Sequence, residues 1–327
     1  MKITQLSSLA LVFTALTYAL PATAADAAKD YPSRPIRLIV PNGPGSSVDT
    51  LTRIVATKLS EVLGQQLVVD NRGGAAGVIG MEIGKEANPD GYTVITATTA
   101  AMTIARLMMK NPPYHPLNDY EPVAEFAATL NVLVINPKLP INTLKDFIDY
   151  AKSGKGTFNM ASAGVGSQSH LAGAYFQQEA HLKSLHVPYK GGGASSASVV
   201  SGESQWSLIP SAAAMRHVSS GRLRAIAETL PKRTALLPGI PAIAEAIPGF
   251  DYSGWQGFVV PKGTPKAIIE KLRAAVAKTM EAPEVKKALA FQATEVDVRG
   301  PAAFRKVIEE SMVKNAKLVQ SLGLAVN

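Results

Sequence analysis

Apolar runs of strand length alternate along this chain with stretches whose apolar residues recur at helical spacing. The predicted strands cover residues 36–41, 67–70, 93–97, 132–135, 157–162, 185–187, 205–209, 223–228 and 252–260. The predicted helices cover residues 47–63, 77–87, 143–151, 167–180, 193–201, 212–219, 265–280 and 301–322. Helices placed between strands favour parallel pairing with both sheet faces covered, so the pattern predicts an α/β protein built on mainly parallel sheets.

Two interruptions of this alternation predict two lobes. The pattern restarts after a proline-rich passage at 111–122 and is broken again by the prolines of 231–248. The C-terminal part contributes mostly helices, so we expect it to pack back on the first lobe. The predicted division is a first lobe of 25–129 plus 252–327 and a second lobe of 130–251, with a hinge at two chain crossings near 129–132 and 250–255.

The N-terminus has the features of an export signal. Lys2 is followed by an apolar core at 9–20 and by Ala22-Thr23-Ala24, the small-x-small form of a cleavage site. The core is too short to span a bilayer, which takes about 20 residues. We predict a signal peptide at 1–24 that is cleaved after Ala24, and a mature chain in the periplasm of a Gram-negative cell.

Composition narrows the function classes. The 327 residues include no cysteine, which excludes thiol catalysis, thiolate metal sites and disulfides. The formal net charge is +8, but the basic residues are dispersed and aromatic residues make up only 6%. Without a basic cluster, nucleic-acid binding is not favoured. A dispersed positive charge would modestly favour the diffusion of anionic ligands towards the protein.

The stretch from 36 to 49 predicts an anion-binding site. An apolar strand ends in a short loop of small residues, and Ser46 stands three residues before Asp49, the spacing of a helix capping box. A helix start carries unpaired N–H groups and a partial positive charge, which suit an anion. Asp49 is expected to serve the cap, or to contact a ligand through water. The candidate ligand-binding residues of this stretch are Asn42, Gly43, Gly45, Ser46, Ser47 and Asp49.

A second passage repeats this arrangement in the other predicted lobe. The predicted strand 157–162 leads into a loop of small residues, and Ser167 is a suitable N-cap for the next helix. Loops 97–100 and 189–195 are of a similar kind. The candidate residues here are Gly164, Val165, Gly166, Ser167 and Gln168, with Thr98 and Thr99 as cleft wall or as ordinary N-caps.

Catalytic and cofactor motifs are missing from the sequence. The glycine-rich stretch 73–80 lacks the G-x-G-x-x-G spacing, 190–193 lacks the order of a phosphate-binding loop, and 164–168 is not a nucleophile elbow. The histidines form no close pair within one helix, so neither a metal nor a cofactor is expected. An enzyme is therefore not favoured, although an exported hydrolase using Ser167 with His170 or His186 stays an alternative.

The mature chain resembles, over nearly its whole length, the Bug family of extracytoplasmic solute receptors of tripartite tricarboxylate transporters. The blocks that carry the resemblance are Tyr31-Pro32-Ser33-Arg34-Pro35-Ile36, Leu63-Gly64-Gln65-Gln66, Val69-Asp70-Asn71-Arg72-Gly73-Gly74-Ala75, Pro89-Asp90-Gly91-Tyr92, Asn131-Val132-Leu133-Val134, Ser169-His170-Leu171-Ala172-Gly173, His186-Val187-Pro188-Tyr189-Lys190-Gly191-Gly192, Gly221-Arg222-Leu223-Arg224-Ala225 and Pro261-Lys262-Gly263-Thr264-Pro265.

The resemblance implies a two-lobed, type II-like periplasmic binding protein that closes on a small carboxylate. It implies that loops 42–49 and 164–168 hold the ligand, partly through water. His170 and Asn131 are further candidates for the cleft, and Trp255 is expected either to line it or to pack in the hinge. The implied partners are one large and one small membrane subunit of a transporter, and the receptor is expected to be a monomer.

Departures from the family pattern bear on the ligand. Asn42 stands where the family usually has an aromatic residue, and Ser46 and Ser47 make the loop more polar. Ile209-Pro210 replaces an Asp-Asn pair that many members carry, so a ligand amino group would lack its carboxylate partner. We therefore expect a dicarboxylate without an amine. An aromatic diacid such as terephthalate is favoured, with citrate-like and aliphatic diacids as competitors. A receptor that signals to a sensor kinase is a second alternative.

Overall fold

The computed structural model describes residues 29–154 and 158–324, and the predicted signal peptide and its cleavage site lie outside these residues. The described strands are β1 (Ile36–Val40), β2 (Leu67–Asn71), β3 (Thr93–Thr98), β4 (Tyr120–Thr129), β5 (Asn131–Ile135), β6 (Met160–Ser162), β7 (His186–Pro188), β8 (Trp206–Pro210), β9 (Arg224–Glu228), β10 (Gly254–Pro261) and β11 (Glu295–Arg299). The described α-helices are α1 (Ser47–Leu63), α2 (Val78–Lys85), α3 (Leu144–Lys152), α4 (Gln168–Glu179), α5 (Gly192–Ser201), α6 (Ser211–Val218), α7 (Lys266–Glu281), α8 (Pro283–Phe291) and α9 (Pro301–Ser321).

The strands form two separate sheets. Across the described residues, the first sheet has the order β11-β4-β10-β3-β1-β2 and the second has the order β7-β6-β8-β5-β9. Helices lie between successive strands along the chain in both sheets. The two-lobed α/β class predicted from the sequence is therefore confirmed.

The expectation of mainly parallel sheets differs from the observed pairing, because both sheets are mixed. β1 is parallel to β2 and β3, and β6 is parallel to β7 and β8. In contrast, β10 is antiparallel to β3 and β4, and β5 is antiparallel to β8 and β9. The reason is that β5 and β10 each begin where the chain has just crossed from the other sheet. They run away from the crossing, while β1, β3, β6 and β8 run towards it.

The chain passes between the sheets at two places. Leu130 alone separates β4 from β5, and a longer segment connects β9 to β10. Thr229 joins the two crossings, because its hydroxyl accepts a hydrogen bond from the Asn131 amide and donates one to the Tyr252 carbonyl. The predicted lobe boundaries, 25–129 plus 252–327 and 130–251, state which parts of the chain move together, and they stay a prediction.

Three elements and one irregular segment were missed by the sequence patterns. β4 contains Pro122 and β11 is largely exposed, so neither has the alternation of a half-buried strand. Helix α8 is short and begins directly after α7. A π-helical turn, Ala100–Ile104, and a 3-10 turn, Ala105–Met108, follow β3.

Alternation along the strands places a core on each face of each sheet. In β1, Leu38 packs in the core with α1 and α7, while Ile39 packs on the opposite face. In β5, Leu133 packs with Trp206 and Val134 packs on the other side. Because both faces are covered, these strands are apolar at nearly every position.

Helix α9 connects the two lobes. Its first half packs against the first sheet through Phe304 and Ile308, as expected for the C-terminal part of the chain. Its last turns differ from that expectation, because Val319 is buried in the core of the second sheet with Phe250 and Tyr252. Among the described residues, no helix is both long enough and apolar enough to cross a bilayer.

Candidate functional site

A cavity lies where β1, β3, β4, β6 and β8 end and β10 begins, and we call it the interlobe cavity. Its volume of about 110 Å³ suits a small organic ion rather than a polymer. The residues that line it are Asn42, Ser46, Ser47, Val48, Ala76, Thr98, Ala100, Thr129, Ala163, Ser167, Gln168, Ser169, Gly191, Gly192, Ile209, Pro210, Ala213, Trp255 and Gln256. Both sheets contribute to this lining, so the cavity is shared between the lobes.

Four helix N-termini meet at the interlobe cavity. Residues at the starts of α1, α4, α5 and α6 all belong to its lining. Each start carries N–H groups without intrahelical partners and a partial positive charge. None of the described side chains that line the cavity is charged. The backbone dipoles of these helix starts are therefore what the lining offers to a charged ligand, and they suit an anion, whereas an ammonium group would find no carboxylate.

The loop before α1 is held from outside the cavity. Ser46 caps α1 as predicted, because its Oγ accepts a 3.2 Å hydrogen bond from the Asp49 amide. One oxygen of Asp49 accepts a hydrogen bond from the Gly45 N–H at 2.8 Å. In a regular capping box the donor would be the N–H of Ser46, one residue later. The other oxygen of Asp49 accepts from Arg53 Nε at 2.8 Å and Asn71 Nδ2 at 2.9 Å. Asp49 is buried and its two oxygens have three donors, so it shapes the loop and does not line the cavity.

Not all candidates of the first loop reach the interlobe cavity. Asn42, Ser46 and Ser47 line it, whereas Gly43 and Gly45 do not. Gly45 has a φ of 73°, in the left-handed region, and its carbonyl accepts a 2.6 Å hydrogen bond from Arg216 of α6. That bond joins the loop to a helix of the second sheet.

The second loop contributes its C-terminal half to the cavity. Ser167 and Gln168 line it, and Ser167 caps α4 by accepting from the His170 N–H at 3.2 Å. Gly164 and Gly166 turn the chain at left-handed φ values and lie outside the lining. Val165 is 60% exposed and is also outside the lining.

The remaining candidates divide in the same way. Thr98 lines the cavity, whereas Thr99 accepts a hydrogen bond from the Trp255 amide at 2.8 Å and supports the start of β10. Of the two alternatives for Trp255, the structure places it in the cavity lining, and its indole N–H donates to Ser311 Oγ of α9 at 2.8 Å. Asn131 is fully buried and outside the lining, and both polar atoms of its side chain lack a partner among the described residues.

His170 lies behind the second loop, stacked on His186 with ring centroids 4.0 Å apart. Burial is the main cause that lowers the pKa of His170 to about 4, followed by the neighbouring His186, and burial also lowers the pKa of His186. His170 Nδ1 accepts from the Gly166 N–H, and His186 Nε2 lies 2.6 Å from Ser162 Oγ. Neither imidazole is hydrogen-bonded to Ser167 in the described structure, so the suggested Ser167–histidine pair does not form.

Sequence reasoning missed much of the cavity wall. Gly191 and Gly192 could have been predicted, because loop 189–195 resembles loops 42–49 and 164–168. These two glycines stand at the start of α5 and line the cavity. Ile209 and Pro210, which the departure from the family pattern had placed beside the ligand, do line the cavity, whereas Ala213 of α6 gave no signal, because β8 continues directly into α6. Val48, Thr129 and Gln256 are ordinary helix and strand positions, and only the packing of the two lobes brings them together.

The fold and the interlobe cavity define a two-lobed solute-binding receptor. Residues 51–324 match the family described as the tripartite tricarboxylate transporter family receptor. Protein BugT of Bordetella pertussis is 34% identical over 298 residues, which cover 90% of this chain and 91% of BugT. The chain belongs to the receptor family of the tripartite tricarboxylate transporters, as the sequence blocks indicated.

Solved structures agree with this assignment. The periplasmic binding protein BugD is 28% identical with a TM-score of 0.85, covering 90% of this chain and 99% of BugD. R. palustris Rpa4515 with adipate is 29% identical with a TM-score of 0.87, covering 90% of this chain and 99% of that protein. MatC from Rhodopseudomonas palustris with bound malate is 26% identical with a TM-score of 0.82, covering 88% of this chain and all of that one.

The family and these neighbours are solute-binding receptors, so this chain is a receptor and not an enzyme. They also imply a periplasmic location. Among the described residues, no group of three or more His, Cys, Asp or Glu side chains is placed to hold a metal ion.

Proposed function

We propose that this receptor binds a small dicarboxylate without an amino group and delivers it to the membrane subunits of a tripartite tricarboxylate transporter. The observation that carries the proposal is the convergence of four helix N-termini on one cavity with no charged lining among the described residues. Ile209 and Pro210 form an apolar wall that offers nothing to an ammonium group. The adipate and malate bound by two structural neighbours are both dicarboxylates.

The binding energy is sufficient only if both lobes contribute. A hydrogen bond to a charged acceptor contributes about 1.5–3 kcal/mol, and a helix terminus adds about 0.3–1 kcal/mol. Four such bonds and two termini give roughly 7–14 kcal/mol before ordering costs, about half of it from one lobe alone, and micromolar affinity needs about 8.2 kcal/mol. A ligand with a carboxylate at each end satisfies both loops only in the closed state, so it favours closure. In this proposal, the two lobes that close on the ligand are residues 25–129 plus 252–327 and residues 130–251.

A thermal-shift screen tests the ligand class. The panel contains adipate, malate, terephthalate and citrate, with glutamate as the amine-bearing diacid and glucose as a neutral solute. At a concentration of 100 Kd, a ligand stabilises the folded state by about 2.7 kcal/mol, which raises the melting temperature by several degrees. A rise with glutamate or glucose and none with the four amine-free acids would overturn the proposal.

Uptake tests the proposed partner. A bound acid identified in the screen is supplied in radiolabelled form to cells that carry the cognate membrane subunits, with and without the receptor. Uptake should require both components. Uptake that proceeds equally without the receptor would contradict the delivery role.

A further inference from the structure

Gly254, the first residue of β10, lies at a point where the two lobes touch. A Cβ atom added there would be 2.6 Å from Gln168 Nε2, 2.9 Å from Thr129 Oγ1 and 3.2 Å from Thr99 Oγ1. The φ of Gly254 is outside the left-handed region, so its backbone does not need glycine. The space around Gly254 does need glycine, because three polar side chains surround the position that a methyl group would occupy.

Gln168 reaches this position from the other lobe. It is the first residue of α4, beside the second sheet, whereas Thr99, Thr129 and Gly254 belong to the segments of the first sheet. Its side chain lines the interlobe cavity. Its Nε2 is buried and has no acceptor among the described residues, although two threonine hydroxyls lie nearby. A buried amide N–H without an acceptor raises the free energy of the folded protein. A ligand oxygen that accepts a hydrogen bond from Gln168 Nε2 would remove this cost.

We propose that Gly254 is a positioning residue for ligand binding. The absence of a side chain lets the Gln168 carboxamide extend across the cavity, where its N–H group donates to a carboxylate oxygen of the ligand. This inference rests on the proposed function and assigns a ligand contact to Gln168 on the hinge side of the cavity.

The neighbours of Gly254 differ in how easily they can move. Thr99 Oγ1 is fixed by the hydrogen bond that it accepts from the Trp255 amide, and Thr129 pairs with Gly254 in the β10–β4 ladder. Gln168 Nε2 is the far end of a long side chain without a partner in the described structure. A methyl group on Gly254 should therefore displace the Gln168 amide and leave the strand in place.

Three variants test the proposal by calorimetric titration with adipate, malate, terephthalate and citrate. Gly254→Ala and Gln168→Ala should each raise the Kd of the tightest wild-type ligand about tenfold or more. The double variant should bind no more weakly than Gln168→Ala, because both changes remove the same contact. Gly300→Ala is the matched control, since its Cβ would meet only Arg273 Cδ, at 3.4 Å, and Gly300 lies outside the cavity lining, so its Kd should match that of the wild type.

Wild-type affinity for Gly254→Ala, or fully additive effects in the double variant, would overturn the proposal. If Gly254→Ala unfolds, the double variant should recover the melting temperature but not the affinity, because removing Gln168 frees the space. If no acid binds even the wild type, the proposed function fails. The positioning claim is then decided by a crystal structure of Gly254→Ala, in which an undisplaced Gln168 side chain would refute it.

Discussion

At the scale of single residues, the polar groups of the site separate into those that shape it and those that face the ligand space. Asp49 has three donors on its two oxygens and lies outside the lining, so its carboxylate fixes the loop. Ser167 has both roles, because it caps α4 and lines the interlobe cavity. A substitution at Ser167 should therefore change stability and affinity together, and a control is needed to separate the two effects.

Ser167→Ala should lower the free energy of unfolding by about 1 kcal/mol through loss of the N-cap, and should weaken dicarboxylate binding about tenfold. Thr143→Ala is the matched control, because Thr143 caps α3 in the same way, 3.0 Å from the Asp146 N–H, outside the lining. It should lose similar stability with unchanged affinity. Chemical denaturation and calorimetric titration measure the two quantities. If both variants bound the ligand with equal affinity, Ser167 would not be a ligand-binding residue.

Glu228 provides a prediction about pH. It is fully buried, one oxygen accepts from the Leu230 N–H, and the other has no partner among the described residues. Burial raises the pKa of this carboxyl from 4.5 to about 7. Between pH 7 and 4.5 the folded state therefore binds the proton more readily than the unfolded state, and this group makes the protein more stable as pH falls.

Glu228→Gln removes this titration. Relative to the wild type, the variant should gain roughly 2–3 kcal/mol of unfolding free energy as the pH rises from 4.5 to 7, and only a few tenths of a kcal/mol more above pH 7 as the last of the wild-type carboxyl ionises. Urea denaturation across this range measures the difference. Glu245→Gln should show the opposite sign at more acidic pH, between 4.5 and 2, because the hydrogen bond with Arg233 lowers the pKa of Glu245 to about 2 and the wild type loses this stabilisation as the pH falls through that range. A difference between Glu228→Gln and wild type that does not vary with pH would contradict the assignment.

At the scale of elements, the loop between β1 and α1 owes its position to the turn after β2. A Cβ atom on Gly73 would lie 2.8 Å from the Gly43 nitrogen and 3.1 Å from the Asn42 carbonyl carbon, both of them backbone atoms. Asn71 adds a 2.9 Å hydrogen bond to the Asn42 carbonyl. Gly73 therefore allows two backbone segments to approach closely.

Gly73→Ala should move the loop, because backbone atoms cannot rotate away as a flexible side chain can. We expect the Kd for the bound dicarboxylate to rise several-fold, with a stability loss of about 1–3 kcal/mol from overpacking. Gly300→Ala, whose added methyl would meet only Arg273 Cδ at 3.4 Å, controls for the loss of a glycine. Titration calorimetry and thermal denaturation give both values, and an unchanged Kd for Gly73→Ala would show that the loop position does not matter for binding.

At the scale of the whole molecule, function depends on how the lobes meet. Arg216 of α6 donates a 2.6 Å hydrogen bond to the carbonyl of Gly45, in the loop before α1. This bond joins the second lobe to the first beside the interlobe cavity, so it forms only when the two are close together. It should therefore slow the release of a bound ligand more than it speeds capture.

Arg216→Ala should raise the dissociation rate constant roughly three- to tenfold, with little change in the association rate constant. Stopped-flow measurement of Trp255 fluorescence, with the dicarboxylate in excess, separates the two rates. Arg222→Ala is the control, because Arg222 bonds to Ser220 within its own lobe. If Arg222→Ala and Arg216→Ala had the same rates, the interlobe bond would have no role in ligand retention.

Local patterns in the sequence determined most of the elements of this protein and two of the helix starts of its site. Helix α1 begins and ends where predicted, and Ser46 and Ser167 cap their helices, because apolar spacing and capping act within a few residues. The two-lobed α/β class and the receptor family also followed from the sequence.

Only the tertiary structure decided how these elements meet. The antiparallel placement of β5 and β10, the contact of Gln168 with Gly254 and the joining of α5 and α6 to the other two helix starts all depend on where the chain crosses between lobes. Residues far apart in sequence carry no local signal of such contacts, since hydrophobic periodicity specifies which face is buried but not which partner covers it. The sequence therefore predicted two loops that share one ligand, and the packing of the lobes decided which of their residues, and which residues of other elements, line the cavity.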